Sequence, residues 1–281
     1  MVRIVSDSST QYTIAEGRAL GIAITPLLVT IADKSYREYE EISSREFLDI
    51  IAQGNVPTSS QPSVGEVIAN YEALAGNEII NISMAAGLSG TYESAVLAAG
   101  QAKNAVDITV VNSRTLCGPH RYIVTRAASM AGNGATSTEI LDMLEKAPAS
   151  TKSFLIPSDF DYLRRGGRIN ERAGKVMGAL KIIPVLVETE DGKKLDLAGI
   201  HRSKKLLLKS LSSAFSSHGL GDGDGWLITV SHADYLERAQ MIRDHLGTAF
   251  PRVKLEVREL GPVFITQGGP RCVSVQAVRK V

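Results

Sequence analysis

Apolar residues recur along this chain in two alternating rhythms. Short runs bounded by polar residues predict strands: Val2, Ile4 and Val5, then residues 22–31, then Ile79, Ile80 and Ile82, then 107–112. Between them, apolar positions three and four apart predict helices over 14–20, over 64–74, over 119–130, and along Tyr92, Ala95, Val96 and Ala99. Ser43 with Glu46, Ser63 with Glu66, and Thr136 with Glu139 have the spacing of capping boxes, and the first and last precede stripes through Phe47, Leu48 and Ile51 and through Leu144. The alternation is that of an α/β fold with a mostly parallel sheet and flanking helices. After the cluster Ala147-Pro148-Ala149-Ser150-Thr151 the rhythm resumes with strands at 153–157, 182–188, 226–230, 253–257 and 272–278 and helices at 172–180, from Arg202, and at 235–246. Asp191-Gly192 marks a hairpin into 194–197. Two domains are expected, 1–150 and 151–281, both α/β, the second smaller.

The stretch 79–99 is a strand, a tight polar turn and a helix. The turn, Gly87-Leu88-Ser89-Gly90-Thr91, places two hydroxyls and two glycines at a helix start, where free N–H groups and the helix dipole favour an anion. The same residues also suit a helix cap, with Ser89 or Thr91 as the capping side chain. Asp7-Ser8-Ser9-Thr10, just past the first strand, has the same double character: ligand contact at a strand end, or turn and cap.

The segment Val56-Pro57-Thr58-Ser59-Ser60-Gln61-Pro62-Ser63 carries four hydroxyls and an amide, without a charge, between two stiffening prolines. It reads either as a rigid array of neutral donors for a carboxyl group or as a solvated loop. In Arg164-Arg165-Gly166-Gly167-Arg168 the glycines clear space, and Arg168 is a candidate for a carboxylate; the alternative leaves the arginines in solvent.

Composition narrows the function. With 31 basic and 30 acidic residues among 281 the net charge is +1, and aromatics make up 5%, which argues against a nucleic-acid binder. Two cysteines, Cys117 and Cys272, support neither a disulfide framework nor a multi-cysteine zinc site. The N-terminus turns polar too early for a signal peptide, and the longest apolar stretch, 21–32, is too short to span a bilayer. A cytoplasmic protein without stable membrane insertion is expected. No phosphate-cradling glycine-lysine loop occurs, and the five histidines show no metal-ligand spacing. Ser89 sits close to a nucleophile elbow, so a serine-dependent lipid or ester hydrolase is an alternative, but the sequence assigns it no base or acid. Neutral ligand contacts without catalytic constellations favour a binding protein, with no catalytic residue, metal or cofactor.

Asp7-Ser8-Ser9, Ser59-Ser60-Gln61-Pro62-Ser63, Leu88-Ser89-Gly90-Thr91-Tyr92-Glu93-Ser94-Ala95, Arg165-Gly166-Gly167-Arg168-Ile169 and Gly261-Pro262, in this order over nearly the whole chain, resemble the DegV family of bacterial fatty-acid-binding proteins. The resemblance implies a lipid tunnel between the two domains. It also implies a long-chain fatty acid as ligand and a fatty acid kinase as the partner that phosphorylates the carboxyl group. It places Ser59, Ser60, Ser89, Gly90 and Thr91 at the carboxyl group, with Arg168 in support, and puts Arg202 on the surface that meets the kinase. One departure stands out. Where the family carries His-Thr-Gly-Pro-Gly, with its His at the carboxyl group, this chain has Gln267-Gly268-Gly269-Pro270-Arg271. Gln267 still donates a hydrogen bond but does not titrate, and Arg271 brings a long side chain where the family has glycine.

Overall fold

A computed structural model describes residues 1–147, 151–170, 182–189 and 192–280. The chain divides into two compact units, Met1–Ala149 and Ser150–Lys280.

The first unit is built on a parallel sheet of order β2-β1-β6-β7, formed by β1 (Val2–Asp7), β2 (Ile22–Thr25), β6 (Glu78–Ser83) and β7 (Ile108–Asn112). Parallel sheets are covered on both faces, so their strands are apolar on both sides. Ile4, Ile22, Ile24, Ile80 and Ile82 pack against Ile123, Val124, Ile140 and Leu144 of α5 (Cys117–Gly132) and α6 (Ser137–Lys146). On the other face, Val5 and Ile79 meet Val67 and Tyr71 of α3 (Val64–Ala73) and Ala98 of α4 (Thr91–Gln101). Tyr71 brings a polar tip into this layer. Its hydroxyl accepts from Asn81 Nδ2 at 2.5 Å, and burial pushes its pKa up to about 12.

The run 22–31 is not one strand. Pro26 follows β2, and the chain re-enters as β3 (Leu28–Ile31), which pairs antiparallel with β4 (Lys34–Arg37) and β5 (Thr58–Ser60) in a separate three-stranded sheet. The hydroxyl-rich segment therefore contributes an edge strand rather than only a loop, with Ser59 opposite Val29 and Ser60 opposite Leu28.

Capping boxes start α1 (Ile14–Ala19) from Thr13, α2 (Ser44–Ile51) from Ser43, and α6 from Thr136. At Ser63 only half of the expected box forms. Its hydroxyl takes the Glu66 N–H, while the Glu66 carboxylate pairs with Arg37 at 2.5 Å instead. A charged partner outcompetes a backbone N–H for that carboxylate.

The second unit is a six-stranded mixed sheet of order β10-β9-β8-β13-β11-β12. Its strands are β8 (Thr151–Ile156), β9 (Ile183–Glu188), β10 (Leu195–His201), β11 (Trp226–His232), β12 (Lys254–Glu259) and β13 (Val273–Arg279). Only β11 and β12 run parallel; the hairpin pairs Glu188 with Leu195 and carries an irregularity between Leu197 and Gly199. One face buries Leu207, Leu211 and Phe215 of α8 (Lys204–Ser217) and Ala239, Ile242 and Leu246 of α9 (Leu236–Ala249) against Phe154, Ile228 and Val275. The other face holds a smaller cluster of Leu163, Ile169 and Leu186. Two short helices, α7 (Phe160–Gly166) and α10 (Pro262–Gly268), complete this unit. The helix expected at 172–180 lies outside the described residues. No described helix is long and apolar enough to cross a membrane.

Phe215 is fully buried and meets the Phe154 ring edge-on, with centroids 5.3 Å apart. Phe215→Ala is expected to lower stability by about 3–5 kcal/mol, read as a shifted midpoint in chemical denaturation. A loss below ~1 kcal/mol would mean that this core is not packed as described.

Candidate functional site

In the first unit, β6 leads through residues 84–90 into α4, and this loop is held by backbone hydrogen bonds to distant groups. Met84 N–H donates to Asp7 Oδ2 (3.0 Å), Ala85 N–H to the Thr115 carbonyl (2.9 Å), and Ala86 N–H to Asn112 Oδ1 (3.2 Å). The other oxygen of Asp7 accepts from Ser9 N–H at 3.0 Å, so one buried carboxylate ties the turn after β1 to the loop after β6. Asp7 thus serves the turn and cap after its own strand and anchors the neighbouring loop as well.

The helix start differs from a simple cap. The N-cap residue of α4 is Gly90, which has no side chain to offer. Ser89 Oγ lies 2.8 Å from Thr91 Oγ1 and accepts a long hydrogen bond of 3.3 Å from Thr91 N–H. Thr91 is buried and Ser89 half-buried. No histidine hydrogen-bonds to Ser89 among the described residues, so the base that a serine nucleophile requires is missing from its contacts.

Gln61, which the spacing quoted but did not assign, reaches this turn. Its side-chain amide rests directly on the α-carbon of Gly90, where an added Cβ would collide with Oε1. Ser94 Oγ also lies 3.5 Å from the Pro62 carbonyl. The structure thereby brings the 59–63 segment against the 89–94 turn, and alternation along β5 turns Ser59 and Ser60 to opposite faces.

The second unit repeats the device. α7 ends at Gly166, and Gly167 adopts the left-handed conformation (φ +69°) that closes helices. The amide of Gln267, on α10, lies on the α-carbon of Gly166, again with no room for a Cβ, while Gly269 packs on the Tyr162 ring. Arg168 Nη1 donates to the Gly166 carbonyl at 2.5 Å, and the Arg168 carbonyl accepts from Leu195 N–H at 2.7 Å. Arg164 pairs with Asp161 and Arg165 stacks over Tyr162, so of the three arginines only Arg168 caps the helix end. Arg202 is exposed, between β10 and Ser203, the N-cap of α8. Arg271 takes a left-handed conformation (φ +60°) and stacks on Tyr235, 3.7 Å from the ring centroid.

Other reactive groups are buried. Burial pushes the Cys272 thiol up to about 12, and Cys117 is equally enclosed. No group of three or more metal-ligating side chains occurs among the described residues. His120 is fully buried; Ser6 commits its proton to the Ile82 carbonyl (2.6 Å), so His120 Nε2, 3.1 Å away, is the donor to Ser6 Oγ and the ring is the neutral Nε2–H tautomer. Burial holds its pKa below the ordinary 6.5, with Asp7 pulling weakly the other way.

The unfolded chain therefore takes up a proton on residue 120 near pH 6.5 that the folded chain does not. Stability from this group is level above that pH and falls as the pH drops through it. His120→Gln is expected to give a shallower loss of unfolding free energy between pH 7 and pH 5 in denaturant titrations, and an unchanged slope would show that His120 is not neutral in the fold. Gly90→Ala should cost under ~1 kcal/mol in the same assay, since the obstructing atom ends a flexible side chain, yet it must displace the Gln61 amide, visible as a shifted side-chain NH₂ resonance.

Comparison with known proteins places these features. The model of the DegV family, described as uncharacterised proteins, matches residues 1–280. A DegV domain-containing protein of Halalkalibacterium halodurans is 32% identical over 279 residues, and one of Listeria innocua is 30% identical over 272; each alignment covers 95% of both chains. Among solved structures, DegV from Bacillus subtilis, described as a fatty acid binding protein, superimposes with a TM-score of 0.86. A DegV family protein from Thermus thermophilus, described by its fatty acid binding, does so with 0.88. Both are 25% identical to this chain, with 99% of each chain covered. The fold, the ordered motifs and the full-length match agree: this chain belongs to the DegV family.

Proposed function

We propose that this chain binds a long-chain fatty acid in a buried tunnel and presents the carboxyl group to a partner fatty acid kinase for acyl-phosphate formation, itself supplying no catalytic group. The observation that carries the binding half is the full-length likeness to the fatty-acid-binding proteins of B. subtilis and T. thermophilus. The site chemistry supports it. Ser59, Ser89, Thr91, the Gly90 backbone and Gln267 are the uncharged donors of this reading, which hold a carboxyl group while leaving one of its oxygens nucleophilic; Ser60 faces the other side of β5 and is not a contact through its side chain. Arg168, which caps its helix end through Nη1, is the supporting cation in this reading. A cytoplasmic location fits a carrier that hands its cargo to a kinase.

Glutamine in place of the family's histidine does not remove the affinity. Each buried methylene is worth roughly 0.8 kcal/mol before ordering costs, so a tail of about fifteen outweighs one altered head-group hydrogen bond of about 0.5–3 kcal/mol. Selectivity for the head group is where the exchange acts, because an amide binds an acid and its neutral analogues with less contrast than a charged imidazole does.

Native mass spectrometry of the purified protein is expected to show one fatty acid per chain, lost on denaturation. Ser89→Ala and Ser59→Ala should each lower the preference for a fatty acid over the matching primary alcohol by about tenfold in calorimetric titration, with melting temperatures unchanged. An empty protein that refuses added fatty acids would sink the reading. Arg202→Glu should keep full lipid occupancy while slowing acyl-phosphate formation in a reconstituted kinase assay; an unchanged rate would remove Arg202 from the hand-off surface.

A further inference from the structure

In the second unit, two arginines gather on one aromatic ring. Tyr235 lies just past the carboxyl end of β11, the edge of parallel strands at which α/β sheets hold ligands. Two arginines converge on its ring: the guanidinium carbon of Arg271 is 3.7 Å from the centroid and that of Arg238, in the first turn of α9, is 4.7 Å away. Neither forms an ion pair among the described residues. Of the acidic neighbours in sequence, Glu237 is engaged by Lys204 at 3.6 Å.

Arg271 is also held in place. Its N–H donates to the Ala233 carbonyl (2.8 Å), its own carbonyl accepts from Ser158 Oγ (2.7 Å), and Ala233 N–H donates to the Cys272 carbonyl (3.0 Å). The residue sits in the left-handed region, which glycine occupies more readily, so a long cation stands where the backbone would favour no side chain. Stacking uses the flat faces of a guanidinium and leaves its in-plane N–H donors free. Two such forks anchored on one ring suit an anion with more than one charge and more than two acceptor oxygens. A carboxylate satisfies a single fork, whereas a phosphate has acceptor oxygens enough for two.

We propose that Arg238 and Arg271, held on the ring of Tyr235, form a binding site for a phosphate monoester group. The proposal does not depend on the lipid contacts proposed above. The phosphate could arrive free or carried on a nucleotide, and inorganic phosphate and ATP serve as the two probes. Calorimetric titration at low salt is expected to give a saturable 1:1 isotherm with at least one of them below about 10 mM, where weak charge-assisted contacts saturate. Arg271→Gly and Arg238→Gln should each weaken that binding about tenfold or more. Arg243→Gln, which removes another arginine from α9, one already paired with Asp244, should leave it unchanged. Saturation by both probes with equal dependence on the two arginines identifies the phosphate group alone as the ligand, and saturation by ATP only identifies a phosphate borne on a nucleotide. The Arg271→Gly protein should melt no lower than the parent, which separates lost binding from lost folding. Absence of saturation with both probes, or equal weakening by Arg243→Gln, would overturn the proposal. Native masses of the same samples report lipid occupancy independently.

Discussion

The carboxylate of Asp7 is the interaction on which the carboxyl edge of the first sheet depends. Its two oxygens each take one backbone N–H, from Ser9 behind its own strand and from Met84 behind the neighbouring strand. Both N–H groups lie where water does not reach, and a buried donor left unpaired costs about 1–3 kcal/mol. Asp7 holds the loop where it leaves β6, and the Thr115 carbonyl and Asn112 hold the next two residues. The position of Ser89, Gly90 and Thr91 follows from that suspension, not from the turn's own preferences.

The two units solve the problem of presenting a polar side chain at a helix end in the same way. In each, a glutamine amide is laid on a bare glycine α-carbon: Gln61 on Gly90, and Gln267 on Gly166. The glycines in these motifs therefore serve close approach. Left-handed backbone freedom is needed at the adjoining Gly167 and Gly269, whose φ angles are +69° and +77°.

Much of this was legible in the sequence because buried parallel strands and capping boxes carry strong local signals. The isoleucines of β1, β2 and β6 and the Ser43 and Thr136 boxes lie where the pattern puts them. What escaped the pattern was set by contacts distant in sequence. β4 and β5 are short, polar and half-exposed, and they exist only because β3 pairs with both. α7 and α10 have seven residues each and little periodicity, and the fold stabilises them through packing around Leu163 and Ile265. The Ser63 box failed because Arg37, on another strand, claimed Glu66. Gln61 and Asp7 were visible as motif letters, but their roles lie in tertiary geometry that spacing does not encode.

The Gln267–Gly166 contact constrains the order in which sequences of this kind can diverge. While Gly166 stays bare, position 267 can hold a planar polar group laid flat on that α-carbon. A side chain gained first at 166 would evict whatever residue 267 presents. Whatever group position 267 carries, the steric vacancy opposite it has to be inherited first.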